Sequence, residues 1–201
     1  MKTTRLLLMM FDEVELLDFA GPYEVFTTAN RMAARRWPDA AAPFELTTAS
    51  PHGLTVRARA GLMLQPDTAL ASAPPADVLL VPGGVVDQLL GDASLLAEIR
   101  RRSHEAQISA SICTGAFVLA AAGILRDGKA TTHWEDAADL AHRHPALQVV
   151  TDRRWVDSGR VVTSAGIAAG IDMSLHLVAR CVDMELAQRT ARQLDVPWIA
   201  A

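Results

Sequence analysis

The sequence predicts an α/β fold: a doubly wound, mostly parallel sheet with helices on both faces and a nucleophile elbow at one strand end. Three observations carry this. Apolar runs at 5–11, 77–81 and 108–112 read as buried strands, the first covered on both sides. Stretches with helical spacing alternate with them along most of the chain, the pattern of a parallel sheet wound by crossover helices. Finally, SICTGAF (111–117) sets Cys113 and Thr114 at a tight turn between an apolar strand and an apolar helix. That arrangement holds a reactive atom at the strand's end and aims it into a crevice.

Taken in order, RLLLMMF (5–11) is the first strand. DEVELLDFAGPYEVFTTANRM (12–32) has helical spacing, with Leu17, Val25, Phe26 and Ala29 on one face. Pro22 places the start of its regular part near Gly21, because proline suits a first turn. FELTTAS (44–50) alternates as a strand does, and 54–70 holds two short strand-like pieces around Gly61, a hairpin or edge excursion. DVLLVPGG (77–84) is a buried strand ending in a Pro-Gly-Gly turn, and 92–106 is an amphipathic helix with Leu95, Leu96 and Ile99 inward. After the elbow strand (108–112) and its helix (115–123, stopped by Gly123), GKATTHW (128–134) reads as a strand ending in His133. A helix follows over 135–144, stopped by Pro145. Residues 147–166 form two strands joined by the Asp157–Ser158–Gly159 turn, and 168–195 one long helix with Ile171, Leu175, Val178, Val182 and Leu186 in register. The tail VPWIAA reads as a last strand. This order of elements corresponds to a flavodoxin-like sheet.

The 201 residues suffice for one domain, expected to span 1–201, with an ordinary soluble balance of 50% hydrophobic and 21% charged residues. A net charge of −4 disfavours a nucleic-acid partner, and the short arginine clusters read as solvated faces or helix-end charges. Two cysteines, Cys113 and Cys181, make no disulfide framework, so a reducing cytoplasm is expected. The apolar stretch at the N-terminus runs straight into Asp12 and Glu13, with neither a signal-peptide cleavage site nor a run long enough to cross a bilayer.

Ligands of an open parallel sheet bind beyond the carboxyl ends of its strands. Three such ends carry unusual chemistry: LLDFAGP with Asp18, Pro82–Gly83–Gly84, and Cys113–Thr114. Each has a plain structural reading: a helix-entry carboxylate, a sharp turn, a small core residue. Their coincidence at equivalent ends points instead to a site in which the Gly83 and Gly84 amides form a nest for developing negative charge.

VPGG, SICTGAFVLAAAGIL, ATTHW and TSAGIAAGID, in that order over roughly residues 5–197, resemble the ThiJ/PfpI superfamily with its class I glutamine amidotransferase-like fold. LDFAGPYEVF with CTGAFVLA is most similar to the isonitrile hydratase branch, and also to the sensor domains of AraC-type regulators. Those regulators carry a helix-turn-helix module after this domain, and this chain ends where one would begin, so a stand-alone enzyme is expected. The resemblance implies Cys113 as nucleophile, Thr114 as its neighbouring threonine and Asp18 as the acid. It also implies a homodimer acting on a small molecule. Protease and glyoxalase-like members place a His after the nucleophile and a Glu in the first loop. Here Thr114 stands in the first position and only Glu13 and Glu15 are near the second, which disfavours those activities.

On this reading the enzyme is a cofactor-free, metal-free hydratase that adds water to an isocyanide, giving an N-substituted formamide. Cys113 attacks to form a thioimidate, Asp18 donates the proton and then activates water, and Thr114 orients Asp18 or the water. Bringing a thiol from ~8.5 to ~6.5 needs about 2.7 kcal/mol, and a helix N-terminus supplies roughly 0.3–1. The remainder is met if Asp18 keeps its proton and bonds to the sulfur, the two groups titrating as a pair. The alternative is a non-catalytic ligand- or redox-sensing domain. His133, followed by Glu135 and Asp136, is either a base beside Cys113 or a structural histidine, and Glu15 is a secondary candidate. His142 and His144 read as solvent-exposed rather than metal ligands, and Cys181 as core. Trp134, Trp155 and Trp198 line either the pocket or a dimer contact.

Overall fold

A computed structural model describes residues 2–198. Its centre is a seven-stranded sheet built from β1 (Thr4–Met9), β2 (Phe44–Ser50), β5 (Thr68–Ala69), β6 (Val78–Val81), β7 (Ile108–Ile112), β10 (Trp155–Asp157) and β11 (Val161–Ser164). The order is β10-β11-β7-β6-β1-β2-β5, and every neighbouring pair is parallel except β10 with β11. Strand β1 reads as a continuous apolar run because both its faces are covered. Leu6 and Leu8 pack toward the long helix α1 (Leu16–Arg36), α6 (Ala169–Cys181) and α7 (Met184–Leu194). Leu7 and Met9 pack with the layer formed by α3 (Ala93–Glu105) and α4 (Gly115–Ala121).

The sheet is flavodoxin-like. From β1 the chain moves to β2 on one side, and from β6 it moves to β7 on the other. The reversal between β1 and β6 opens a crevice beyond their carboxyl ends. The hairpin around Gly61 is present as β3 (Val56–Arg57) with β4 (Met63–Leu64), and Asp157–Ser158–Gly159 leads into the turn between β10 and β11. No helix among the described residues is long and apolar enough to cross a membrane.

Several elements differ from the sequence expectation. Helix α1 begins at Leu16, not near Gly21, and runs through Pro22. Burial overrides the lost N–H: Gly21, Pro22, Val25 and Phe26 are all in the core, and a Cβ on Gly21 would stand 3.2 Å from Ile171 Cγ1, so α1 and α6 lie close there. The expected strand to His133 stops early, as β8 (Gly128–Ala130). It pairs with β9 (Leu147–Val149) in a separate two-stranded sheet, so the first of the two strands expected over 147–166 is split into β9 and β10. Its continuation passes through buried Thr131 and Thr132 to a 3-10 turn at Trp134–Asp136 and helix α5 (Ala137–Arg143). A short helix, α2 (Asp87–Gly91), follows the Pro-Gly-Gly turn. Residues Val196–Trp198 form no strand, and the rest of the expected C-terminal strand lies outside the described residues.

The long C-terminal helix is two helices. The apolar register carries across the break, but Val182 leaves helical geometry and Asp183 is extended. The Asp183 carboxylate accepts the Leu186 N–H at 2.7 Å, capping α7, and pairs with Arg36 at 2.8 Å. An Asp that bonds the exposed amides of a first turn is an N-cap wherever it stands. Asp183→Ala is therefore expected to lower stability by about 1 kcal/mol and Asp183→Asn by only a few tenths, since Asn also caps. Urea denaturation reads both values, and an alanine variant with an unshifted midpoint would remove the cap from this account.

Candidate active site

Three loops meet above the crevice, and glycine allows each contact. The β1–α1 loop runs against the β6–α2 loop: Glu15 N donates to Gly83 O at 2.9 Å and Val85 N to Glu13 O at 3.0 Å. A Cβ on Gly84, at φ +142°, would lie 2.2 Å from Glu13 O, so a side chain there is excluded on both counts. The elbow presses on the same place, since a Cβ on Gly115 would come within 2.3 Å of Val81 O. Thr114 completes the junction: its Oγ1 accepts from Gly84 N and donates to Gly84 O, both at 2.9 Å.

Cys113 itself has φ +54°, a left-handed backbone that is unfavourable for a non-glycine residue by roughly 1–2 kcal/mol. The surroundings hold it there. Its N–H donates to Ser164 O at 3.2 Å, and its carbonyl accepts from the buried Thr132 hydroxyl at 2.8 Å. Cys113 lines a cleft of about 360 Å³ together with Glu15, Gly84, Thr114, Phe117 and His133.

Asp18 is 1% exposed and does not line this cleft. Its Oδ2 accepts from Gly83 N at 3.0 Å, and its Oδ1 is buried without a partner. Burial raises the carboxyl to about 7, with the Gly83 hydrogen bond opposing the rise, the Glu15 charge adding to it and the neighbouring Cys113 thiol opposing it. The thiol is pushed up to about 12, first by burial and then by the Asp18 charge, against a donating Thr114 N–H. The two groups are thus a coupled pair. Losing the first proton costs little near neutrality, and losing the second is strongly opposed.

Three expectations about roles change. The Gly83 and Gly84 amides are not a free nest: one is committed to Asp18 and the other to Thr114. The Thr114 hydroxyl is spent on Gly84, so it positions the loop and does not orient Asp18 or a water. The helix N-terminus does not leave a low-pKa thiol, because α4 is short and desolvation outweighs its dipole. The remaining candidates are placed as follows. His133 reaches the cleft, its Nδ1 3.4 Å from Asp136 Oδ2, its ring laid on Gly166, where a Cβ would come within 2.1 Å of Cδ2. Glu15 stands at the mouth, 3.8 Å from Arg59. Cys181 is remote from the cleft and partly buried against the core. Trp134, Trp155 and Trp198 do not line the cleft. Thr132, Phe117 and Gly166 are the site residues the sequence reading did not single out, whereas Asp136 was named with His133.

A doubly wound sheet with a cysteine on a left-handed strand-to-helix elbow, backed by a buried carboxyl, defines a class of nucleophile-elbow α/β proteins. The chain belongs to the DJ-1/PfpI family, whose model matches residues 4–180. It is 36% identical over 189 residues to an isonitrile hydratase of Pseudomonas putida, covering 93% of this chain and 76% of that protein. It is 30% identical over 182 residues to the HTH-type transcriptional regulator GbdR of Pseudomonas aeruginosa, covering 89% of this chain but 47% of the regulator. Among solved structures, a ThiJ/PfpI family protein from Pseudomonas syringae superposes with a TM-score of 0.84 at 26% identity, covering all of this chain and 78% of the other.

The raised Asp18 pKa has a sign. An aspartate is ionised above about 4 in the unfolded chain, whereas Asp18 stays neutral in the fold up to about 7. Its contribution to stability is full below the unfolded value and is lost as pH rises through about 7. Between pH 5 and 8 the wild type is therefore expected to lose about 2–3 kcal/mol from this group. Asp18→Asn, which keeps the acceptor for Gly83 N–H, is expected to lose that slope. Urea midpoints at the two pH values compare them, and parallel pH dependences would refute the assignment.

Proposed function

We propose that the protein is an isonitrile hydratase-like enzyme, a lyase that converts R–N≡C and water to R–NH–CHO through a covalent Cys113 intermediate. The observation that carries this reading is the Cys113 sulfur held on a left-handed elbow in the cleft, coupled to an Asp18 carboxyl that titrates near neutrality. The similarity to the Pseudomonas putida enzyme over 93% of the chain supports it.

With one proton on the pair, Asp18 takes the thiol proton as sulfur attacks the terminal carbon, then returns it to that carbon, giving R–N=CH–S–Cys113. Water adds next: its oxygen bonds to carbon and the nitrogen gains a proton. Cleavage of the C–S bond sends the pair back to sulfur, which recovers a proton as R–NH–CHO leaves. Asp18 does not line the cleft and on this reading reaches the reacting carbon only across the sulfur, so proton transfer from the incoming water is assigned to a group on the open side of the cleft. We assign this transfer to His133, a reading supported by its place on the cleft lining and by Asp136 Oδ2 3.4 Å from its Nδ1. Thr114 and Thr132 position the elbow.

The second reading is a small-molecule sensor without turnover. The 30% identity to a transcriptional regulator over 89% of this chain, and the upward-shifted thiol, favour it.

Incubation with cyclohexyl isocyanide, with the formamide followed by proton NMR, separates the two. The hydratase reading expects turnover whose kcat/KM rises with pH through about 7, as the pair sheds its first proton. Cys113→Ala is expected to abolish it and Asp18→Asn to lower it by about 10²-fold. Turnover that survives Cys113→Ala rules out the covalent route, and binding without formamide from the wild type establishes the sensor.

A further inference from the structure

The walls of the cleft carry more negative charge than they neutralise. Arg143 is bound to Asp139 at 2.8 Å, and Arg59 stands 3.8 Å from Glu15. That leaves Asp87, Glu135 and Asp136 on the lining with no Lys or Arg ion-pair partner among the described residues. Glu135 and Asp136 face only the Nδ1 of His133, at 3.8 and 3.4 Å. The Asp136 charge reaches the sulfur, being among the influences that raise the thiol.

An independent feature shows what kind of group the cleft accommodates. The Arg143 guanidinium lies 5.7 Å from the centre of the Phe117 ring, so the cleft already seats an organic cation between an aromatic face and a carboxylate. A carboxylate or phosphate entering the same space meets three uncompensated negative charges and finds both guanidiniums taken. A concave wall of net negative charge biases the field inside it and selects entrants by charge, most strongly at low salt because its carboxylates are exposed to solvent.

We infer that this cleft is a charge filter on Cys113: it admits neutral and cationic small molecules and repels anionic ones, so that the substrate is an isonitrile bearing an uncharged or amine-containing group. The isonitrile part rests on the hydratase reading; the charge selection rests on the cleft alone.

The test uses the full chain carrying Cys181→Ser, so that Cys113 is the sole thiol. Its rates are measured with 2-(trimethylammonium)ethyl, 2-hydroxyethyl and 2-sulfonatoethyl methanethiosulfonates. Each transfers its thioalkyl group to the sulfur and releases methanesulfinate. All rates are divided by those of 2-mercaptoethanol. The expected cationic-to-anionic ratio is about tenfold above that of the free thiol at low salt, collapsing toward it near 1 M salt. In an Asp87→Asn/Glu135→Gln background the ratio should fall about threefold, and the salt titration decides alone if that variant does not fold. A normalised ratio of one or less, or one indifferent to both salt and the substitutions, overturns the filter and leaves the hydratase reading standing. No labelling by any of the three reagents overturns both.

Discussion

The hydrogen bond from Gly83 N–H to Asp18 Oδ2 is the constraint on which the site depends. A carboxyl in the core with no partner would simply keep its proton. One amide donor, opposed by burial and by Glu15, brings the balance to about 7, where a proton can be exchanged at ordinary pH. The bond exists because residue 83 has no side chain. A Cβ there would stand 2.7 Å from Asp18 Oδ2, Thr114 N and Thr114 Oγ1 alike, forcing the Gly83 turn away from both the α1 carboxyl and the elbow. Gly84 does the same for the first loop's backbone. Two adjacent glycines thus fix the spacing between the carboxyl, the elbow and the β1–α1 turn.

That spacing determines how charge is handled. Burial acts on both members of the pair in the same direction, so neither is comfortable as an anion and the pair resists holding two charges. A short helix end and one Thr114 N–H offset only part of the sulfur's desolvation. Such a site moves a proton between sulfur and oxygen more easily than it exposes a standing thiolate. Asp136 on the cleft wall reinforces this, since its charge too opposes negative charge at sulfur.

Where a sequence signal and a burial requirement coincided, the sequence was legible. Strands β1, β6 and β7 are buried on both faces, the serines of β7 being small enough to pack there, and were readable from composition alone, as was the elbow between β7 and α4. Legibility failed where a tertiary contact overruled a local rule. Pro22 marks a helix start by its chemistry, yet α1 runs through it because its neighbours pack on α6. The break at Val182 was hidden by an unbroken apolar register, although Asp183 three residues before Leu186 was a cap signal in plain view. At the site, Cys113, Asp18 and the glycine pair were identifiable, but their bonding was not. Whether an amide is free depends on which distant side chain takes it, and Thr132 and Gly166 act on residues far away in the chain.

The commitment of both glycine amides bears on which chemistry suits the elbow. Acyl transfer builds charge on an oxygen and depends on free N–H donors aimed at it. At Gly83 and Gly84 those donors are taken by Asp18 and Thr114. Addition of sulfur to a terminal isonitrile carbon builds charge on carbon, which is quenched by a proton and gains little from an amide. The group this geometry does supply beside the sulfur is a proton carrier, buried, near neutrality in its titration and shielded from bulk water. The same commitments that weaken the elbow as a hydrolytic site for amides therefore suit a reaction whose first need is one proton delivered to carbon.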